Sequence, residues 1–313
     1  GISTLFVSHK LSEVLEISEK VAVLRDGMMV GDFETNELDT DKLVYHMTGN
    51  EIVHSTFKYE GKKERTTPLL ELENLTKKPN YANIDMSLFR GEVLGITGLL
   101  GSGRTELALS LFGLNRPKSG QIRIDGQRCK IRTPKDAIRA GISYLPEDRH
   151  SQGLFLQQSI GINLIVTILK RLLNKLGIIS KKKRLKSMNR YVQDLRIKTP
   201  SLEAPAESLS GGNQQRVVLG KWLATNPKIF ILDGPTVGID IASKSEIHQL
   251  IKNLAKEGMG IIVISDEINE VFHNCNRIRV MKNGRIAAEV DPLQTTEREL
   301  TELVEKKNGV AAS

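Results

Sequence analysis

Cysteine is scarce in this chain. Cys129 and Cys275 are the only two in 313 residues; they carry no metal-ligand spacing and read as reduced thiols of a cytosolic protein. Long apolar runs are missing too. Nothing reaches the roughly 18 consecutive apolar residues that a membrane-spanning helix needs, and no signal-peptide pattern opens the sequence. What is present is a hydrophobic fraction of 39%, ample for the core of one large domain or two smaller ones. The net charge of +8 suits nucleic acid, phosphate ligands or an anionic membrane face. Much of that excess sits in KKKRLK (181–186), which reads equally as a solvated helix start or as a contact surface.

The first thirty residues recur near the end. GISTLFVSHKLSEVLEISEKVAVLRDGMMV, from Gly1, aligns without gaps on GMGIIVISDEINEVFHNCNRIRVMKNGRIA, from Gly258, at an offset of 257. Ser8 falls on Ser265, Glu13 on Glu270, Val23 on Val280 and Gly27 on Gly284. Each copy reads as strand, helix, strand, Gly turn and strand, and TDKLVYHM (40–47) and ERELTELV (297–304) both read as a closing helix. The expected organisation is the tail of one domain copy over 1–51, a linker over 52–67, a complete second copy over 68–305 with a helical subdomain at about 147–210, and a short tail over 306–313. Because the chain opens with Gly and enters a buried-looking strand almost at once, it is expected to be a fragment. Within the second copy, strands alternate with helices expected at 105–111, 133–140, 161–176, 184–195, 212–224 and 241–256, with strands at 228–232 and 260–265. Such alternation predicts an α/β fold built on a mainly parallel sheet with flanking helices.

Two stretches of the second copy carry chemistry. In EVLGITGLLGSGRTELALSLFG, a strand enters a glycine turn that opens a helix. Gly98, Leu99, Leu100, Gly101, Ser102, Gly103, Arg104, Thr105 and Glu106 follow the pattern G-x-x-x-x-G-[K]-[ST], with Arg104 in the place of Lys. Backbone N–H groups of such a turn close around phosphate oxygens, and the helix aims its positive end at them. A glycine-rich packing turn is the plainer alternative. Arg104 keeps the charge, but its planar fork is bulkier than an ammonium. In ESLSGGNQQRVVLGKWLATNPKIFILDGPTVGID (207–240), Ser210, Gly211 and Gly212 precede a helix bearing Gln214, and an apolar strand then ends in Asp233 and Gly234.

GLLGSGRTE, LPEDR and LSGGNQQR together resemble the ATP-binding cassette of ABC transporters, and specifically the second cassette of the fused two-cassette ATPases of monosaccharide importers (the ribose, galactose, xylose and autoinducer-2 group). The resemblance covers nearly the whole chain. It implies a P-loop NTPase fold with an antiparallel β subdomain and a helical subdomain, ATP and Mg²⁺ as ligands, and cassettes paired head to tail. Each ATP then lies between one copy's phosphate loop and the other copy's signature. Carried over residue by residue, Thr105 and Asp233 hold Mg²⁺, Ser210 to Gln214 are the signature, Glu147 stands where the family has a permease-sensing glutamine, and Asp240 sits in the loop that signals across the dimer. His9 is the switch histidine of the first copy; the second copy has Asp266 there. Gly234 stands where the family places the glutamate that polarises the attacking water.

Gly234, Asp266 and Arg104 are three departures within one nominal site. They imply a second site that binds MgATP but is catalytically degenerate, and a first site in which His9 works with the second copy's signature. The implied partners are membrane permease subunits, a periplasmic or extracellular sugar-binding protein reached through them, and the first cassette or a second ATPase copy. Asp148, Arg149 and Phe155 are the candidate permease contacts, an ordinary helical subdomain being the bland alternative. The resemblance places the protein on the cytoplasmic face of a bacterial plasma membrane, with no nucleic acid expected. A soluble cassette ATPase acting on nucleic acid or the ribosome, and a non-hydrolysing nucleotide-gated scaffold, are the rival readings.

Overall fold

The computed structural model describes residues 2–8, 11–25, 27–49, 67–174 and 176–306. His9 and all of the expected linker except Thr67 lie outside them. The chain divides into two compact units, one of Gly1–Ser55 with Gly238–Glu246, the other of Thr56–Val237 with Ile247–Ser313.

The first unit contains α1 (Leu11–Ile17), strands β1 (Lys20–Arg25) and β2 (Met28–Glu34), and α2 (Thr40–Thr48). Val21, Val23 and Leu43 form its small core, with Val14, Leu15 and Phe33 packed against them. Asp39 caps α2 by accepting from the N–H of Lys42 at 2.8 Å.

The second unit contains β3 (Leu70–Lys77), β4 (Tyr81–Leu88), β5 (Val93–Thr97), α3 (Arg104–Leu111), β6 (Ser119–Ile124), β7 (Gln127–Cys129), α4 (Pro134–Arg139) and β8 (Ile142–Leu145). There follow α5 (Ile160–Ile165), α6 (Lys181–Asp194), α7 (Gly211–Leu223), β9 (Ile229–Asp233), α8 (Ile241–Lys256, of which only the part from Ile247 belongs to this unit), β10 (Gly260–Ile264), α9 (Ile268–Asn274), β11 (Arg277–Lys282), β12 (Arg285–Val290) and α10 (Glu297–Glu305). Six strands form a sheet in the order β12-β11-β5-β10-β9-β8, parallel except for β12. Strands β5, β9 and β10 are buried at every position, which is why they read as unbroken apolar runs rather than alternating ones. A separate antiparallel sheet runs β4-β3-β6-β7. One apolar core, including Leu72, Ile84, Ile96, Leu107, Ile231 and Ile262, joins the two sheets. Arg277 adds a buried polar tie, bonding Glu92 at 2.9 Å and the carbonyl of Ser87 at 2.7 Å.

The repeat is visible in the backbone. Helices α1 and α9, strands β1 and β11, and helices α2 and α10 all keep the offset of 257. The bulge between Val23 and Leu24 in the first pair of strands recurs between Val280 and Met281 in the second. One expected element is absent: residues 2–8 form no strand, and Leu5 and Val7 are about nine-tenths exposed. Their counterpart β10 is held between β5 and β9, and no described residue of the first copy plays either part. An extended segment without ladder partners gains too little to order as a strand.

The helix expected over 161–176 stops at Ile165 and continues as 3₁₀ turns over Val166–Leu172. Tertiary bonds explain this, because Thr167 donates to the carbonyl of Lys221 and Arg171 donates to those of Ala224 and Thr225. Helix α6 starts three residues before the expected 184, where Ser180 accepts from the N–H of Lys183.

Candidate functional site

Between β5 and α3 the chain makes the glycine turn. Gly103 sits at φ +96°, and a Cβ there would lie 2.5 Å from the carbonyl oxygen of Asn80. Only glycine fits both the conformation and the space. The turn is tied to the β11–β12 hairpin by the N–H of Gly284, which donates to the carbonyl of Ser102 at 3.1 Å. Helix α3 then opens with amide donors that have no partner within the helix, as every helix start does. Ser102 is buried and its Oγ has no bonding partner.

This turn forms one wall of a cavity of about 140 Å³. Leu100 to Glu106, Glu147, Asp233, Gly234 and Asp266 of the expected site residues line it, together with Val237, Ile264 and Ser265. Gly98 and Leu99 are not among the lining residues. Ser210, Gly211, Gly212 and Gln214 also lie elsewhere, at the start of α7. Ser210 is exposed there, whereas Gln214 is buried and accepts from Arg149 and pairs with His150 at 3.0 Å. Asp240 accepts from the N–H and Oγ of Ser243, at 2.9 and 2.8 Å, in the first turn of α8.

The electrostatics of the cavity centre on Asp233 at the end of β9. It is 2% exposed and accepts from Tyr144 Oη at 3.0 Å. Burial pushes its carboxyl up to about 6, opposed by hydrogen bonds from Thr105 and Tyr144, while the charge of Glu147 pushes it further up. Burial, then the negative charge of Asp233, raise the Tyr144 phenol well above its ordinary range. Arg104 is the only cation among the lining residues. Burial lowers its pKa, and Asp266, Asp233, Glu147 and Glu106 act against that. Its Nη1 is buried without a partner.

The loop after β9 is held from several directions. The N–H of Gly234 donates to Ile264 at 2.9 Å, Gln215 donates to Pro235 at 2.8 Å, Arg149 donates to Val237 at 2.7 Å, and Thr236 donates to Glu270 at 2.8 Å. Gly234 itself adopts φ +56°. Arg149 thus points part of its fork inward, whereas Asp148 caps the turn at Arg149–Gly153 and Phe155 is half exposed. Tyr144 was not legible as a site residue: in ISYLPED it reads as one more apolar strand position, and only its pairing partner gives it a role.

Among the described residues, no group of three or more His, Cys, Asp or Glu is placed to hold a metal by itself. The donor set of Asp233 and Thr105 nevertheless suits Mg²⁺, which binds through one or two protein oxygens and takes the rest from phosphates and water. The unpartnered Ser102 hydroxyl and Arg104 Nη1 are donors left over for such phosphates.

Comparison with known proteins agrees with this architecture. Over 308 residues the chain is 37% identical to the galactose/methyl galactoside import ATP-binding protein MglA of Fusobacterium nucleatum, a match covering 98% of this chain and 61% of the relative. It is 40% identical over 303 residues to the ribose import ATP-binding protein RbsA of Clostridium perfringens, covering 97% and 60%. The chain therefore spans about 60% of the length of these relatives. A crystal structure of a nucleotide-free ATP-binding cassette from an ABC transporter shares the fold, with a TM-score of 0.65 at 21% identity over 76% of this chain and 96% of that one. Residues 81–237 match the ABC transporter family, so the chain belongs to that family.

Proposed function

We propose that this chain is the ATP-binding, energy-coupling part of a bacterial sugar importer, and that its own cavity binds MgATP but hydrolyses it slowly or not at all. The observation that carries this reading is the pairing of a glycine turn that keeps its Gly103 and Thr105 with an incomplete catalytic wall. The cavity has the glycine turn, Thr105 and Asp233, but Gly234 contributes no carboxylate beside Asp233. Both relatives named above are sugar-import ATP-binding proteins.

In this reading the amides of 101–106 and Arg104 grip the β- and γ-phosphates, and Thr105 and Asp233 hold the metal. Mg²⁺, when bound, supplies charge neutralisation at the phosphates. Loss of a general base typically costs about 10²–10⁴ in rate. Asp266 sets a further negative charge on the γ-phosphate side, where a histidine would be neutral or positive. Ser210 to Gln214 serve another cassette's nucleotide, in a site completed by His9, and closure of paired cassettes drives permease subunits. Asp240 lies in the loop between the two sites, and Asp148 and Phe155 face the permease. The sugar itself is chosen by the permease and a sugar-binding protein outside this chain.

The test is to titrate the chain with ATP in the presence and absence of Mg²⁺ and to follow phosphate release. Metal-dependent binding with little release is expected. Substantial steady-state hydrolysis abolished by Asp233→Asn would overturn the degenerate site. In a full two-cassette protein, sugar uptake that survives loss of the first cassette's phosphate-loop lysine would overturn the division of labour.

A further inference from the structure

From Arg149 to Gln193 the sequence contains ten Lys and Arg residues and no Asp or Glu. That segment alone carries more positive charge than the chain's whole net +8. At its centre the chain makes a tight hairpin. Leu173 and Ile179 pair across it, the side chain of Asn174 accepts from the N–H groups of Leu176 and Ile178 at 2.9 and 3.0 Å, and the N–H of Asn174 donates to Ile178 at 2.8 Å.

These bonds satisfy much of the turn's backbone from within, and Leu176 and Ile178 are left exposed. Leu176 is 82% exposed and Ile178 62%; Leu169, Leu173 and Ile179 are partly exposed beside them. Lys170 precedes the tip, and Lys181 and Lys182 follow it on the first turn of α6, all exposed. Lys183 binds the first turn of α6 to the hairpin, donating to the carbonyl of Leu173 at 3.1 Å.

We infer that this hairpin docks on an anionic lipid surface. Leu176 and Ile178 enter the headgroup–acyl boundary while Lys170, Lys181, Lys182 and Lys186 lie against the acidic headgroups. The chemistry argues for lipid over nucleic acid. A phosphodiester backbone would use the lysines but offers nothing to the exposed aliphatic side chains at the tip. A bilayer uses both, since apolar insertion and attraction to acidic headgroups act together. Backbone groups already bonded within the turn lose little on leaving water. The inference does not depend on the nucleotide site.

The test uses the 313-residue chain and vesicles of phosphatidylcholine with or without phosphatidylglycerol. Flotation should show binding to the anionic vesicles and at least tenfold weaker binding to the neutral ones. Each basic residue near the surface is worth about fivefold, so K181E/K182E should reduce binding by at least tenfold. L176S/I178S should also reduce it, with little change in the thermal melt, since both side chains are mostly exposed. Ile178→Trp should show a blue shift in emission on adding anionic vesicles, read against the unsubstituted chain. Failure to bind vesicles, equal binding to both kinds, or an unshifted Trp would overturn the inference. So would tip variants that bind as tightly as the parent. Binding to duplex DNA that displaces the vesicles and ignores the tip substitutions would assign the basic surface to nucleic acid instead.

Discussion

Glu147 occupies the space that a side chain at Gly234 would need. A Cβ at position 234 would lie 2.9 Å from Cγ of Glu147 and 2.9 Å from Cγ2 of Val237, on a backbone at φ +56°. The glycine and the glutamate are therefore a coupled pair, and introducing an acid at 234 alone is blocked twice, by conformation and by contact.

Gly234→Glu should accordingly destabilise the chain, by about 1–2 kcal/mol from the left-handed backbone alone, and should not raise hydrolysis. Adding Glu147→Ala should recover part of the lost stability by opening the space. Urea melts of the two single variants and the double variant check this; strict additivity would show that the contact does not matter.

Asp233 makes stability and binding pull apart. Its folded pKa of about 6 lies above the ordinary 3.8. The native state therefore holds the extra proton, and stability falls as pH rises from about 4 to 6, then levels. Asp233→Asn should stabilise the chain at pH 7, by up to about 3 kcal/mol, with the gain vanishing below about pH 4. The same change should weaken MgATP binding at least tenfold. Melts across pH and isothermal titration measure the two effects separately.

Lys221 gives the mirror case. Burial lowers its pKa from 10.5 to about 8, and its ammonium donates to the carbonyl of Gly153. Between about pH 8 and 10.5 the unfolded chain binds more protons, so stability rises with pH across that window. Lys221→Met should flatten this rise and stabilise the chain at pH 7, by at most about 3 kcal/mol. A pH series of denaturant melts that keeps its rise in the Met variant would reject the assignment.

Arg104 faces Asp266, Asp233, Glu147 and Glu106 without another cation lining the cavity. Arg104→Ala should leave the phosphates opposed by carboxylates and weaken nucleotide binding at least tenfold, an effect reported by equilibrium dialysis.

Arg277 holds Glu92, which is fully buried. Arg277→Ala strands that carboxylate and should cost about 3–5 kcal/mol. Chemical denaturation provides the measurement, and a loss below 1 kcal/mol would mean that water reaches Glu92.

The sequence alone determined the elements of the second copy and the repeat, for identifiable reasons. The apolar runs at Ile229–Asp233 and Gly260–Ile264, the helix expected from 133 and the glycine turn before Arg104 each act through local periodicity or backbone conformation. It also indicated that the glycine turn, Thr105 and Asp233 belong together, and they do line one cavity, because the spacing of a strand, a turn and a helix fixes where their ends point. What it did not determine depends on partners distant in the chain. Residues 2–8 carry a strand's composition but form none, since a buried parallel strand exists only between two others. The helix expected to reach 176 ends at 165, where bonds to Lys221, Ala224 and Thr225 take over from local periodicity. Tyr144 donates to Asp233 from 89 positions away, and Glu147 fills the volume that Gly234 leaves. Local spacing carries no record of which distant side chain will occupy a given space; only packing decides that.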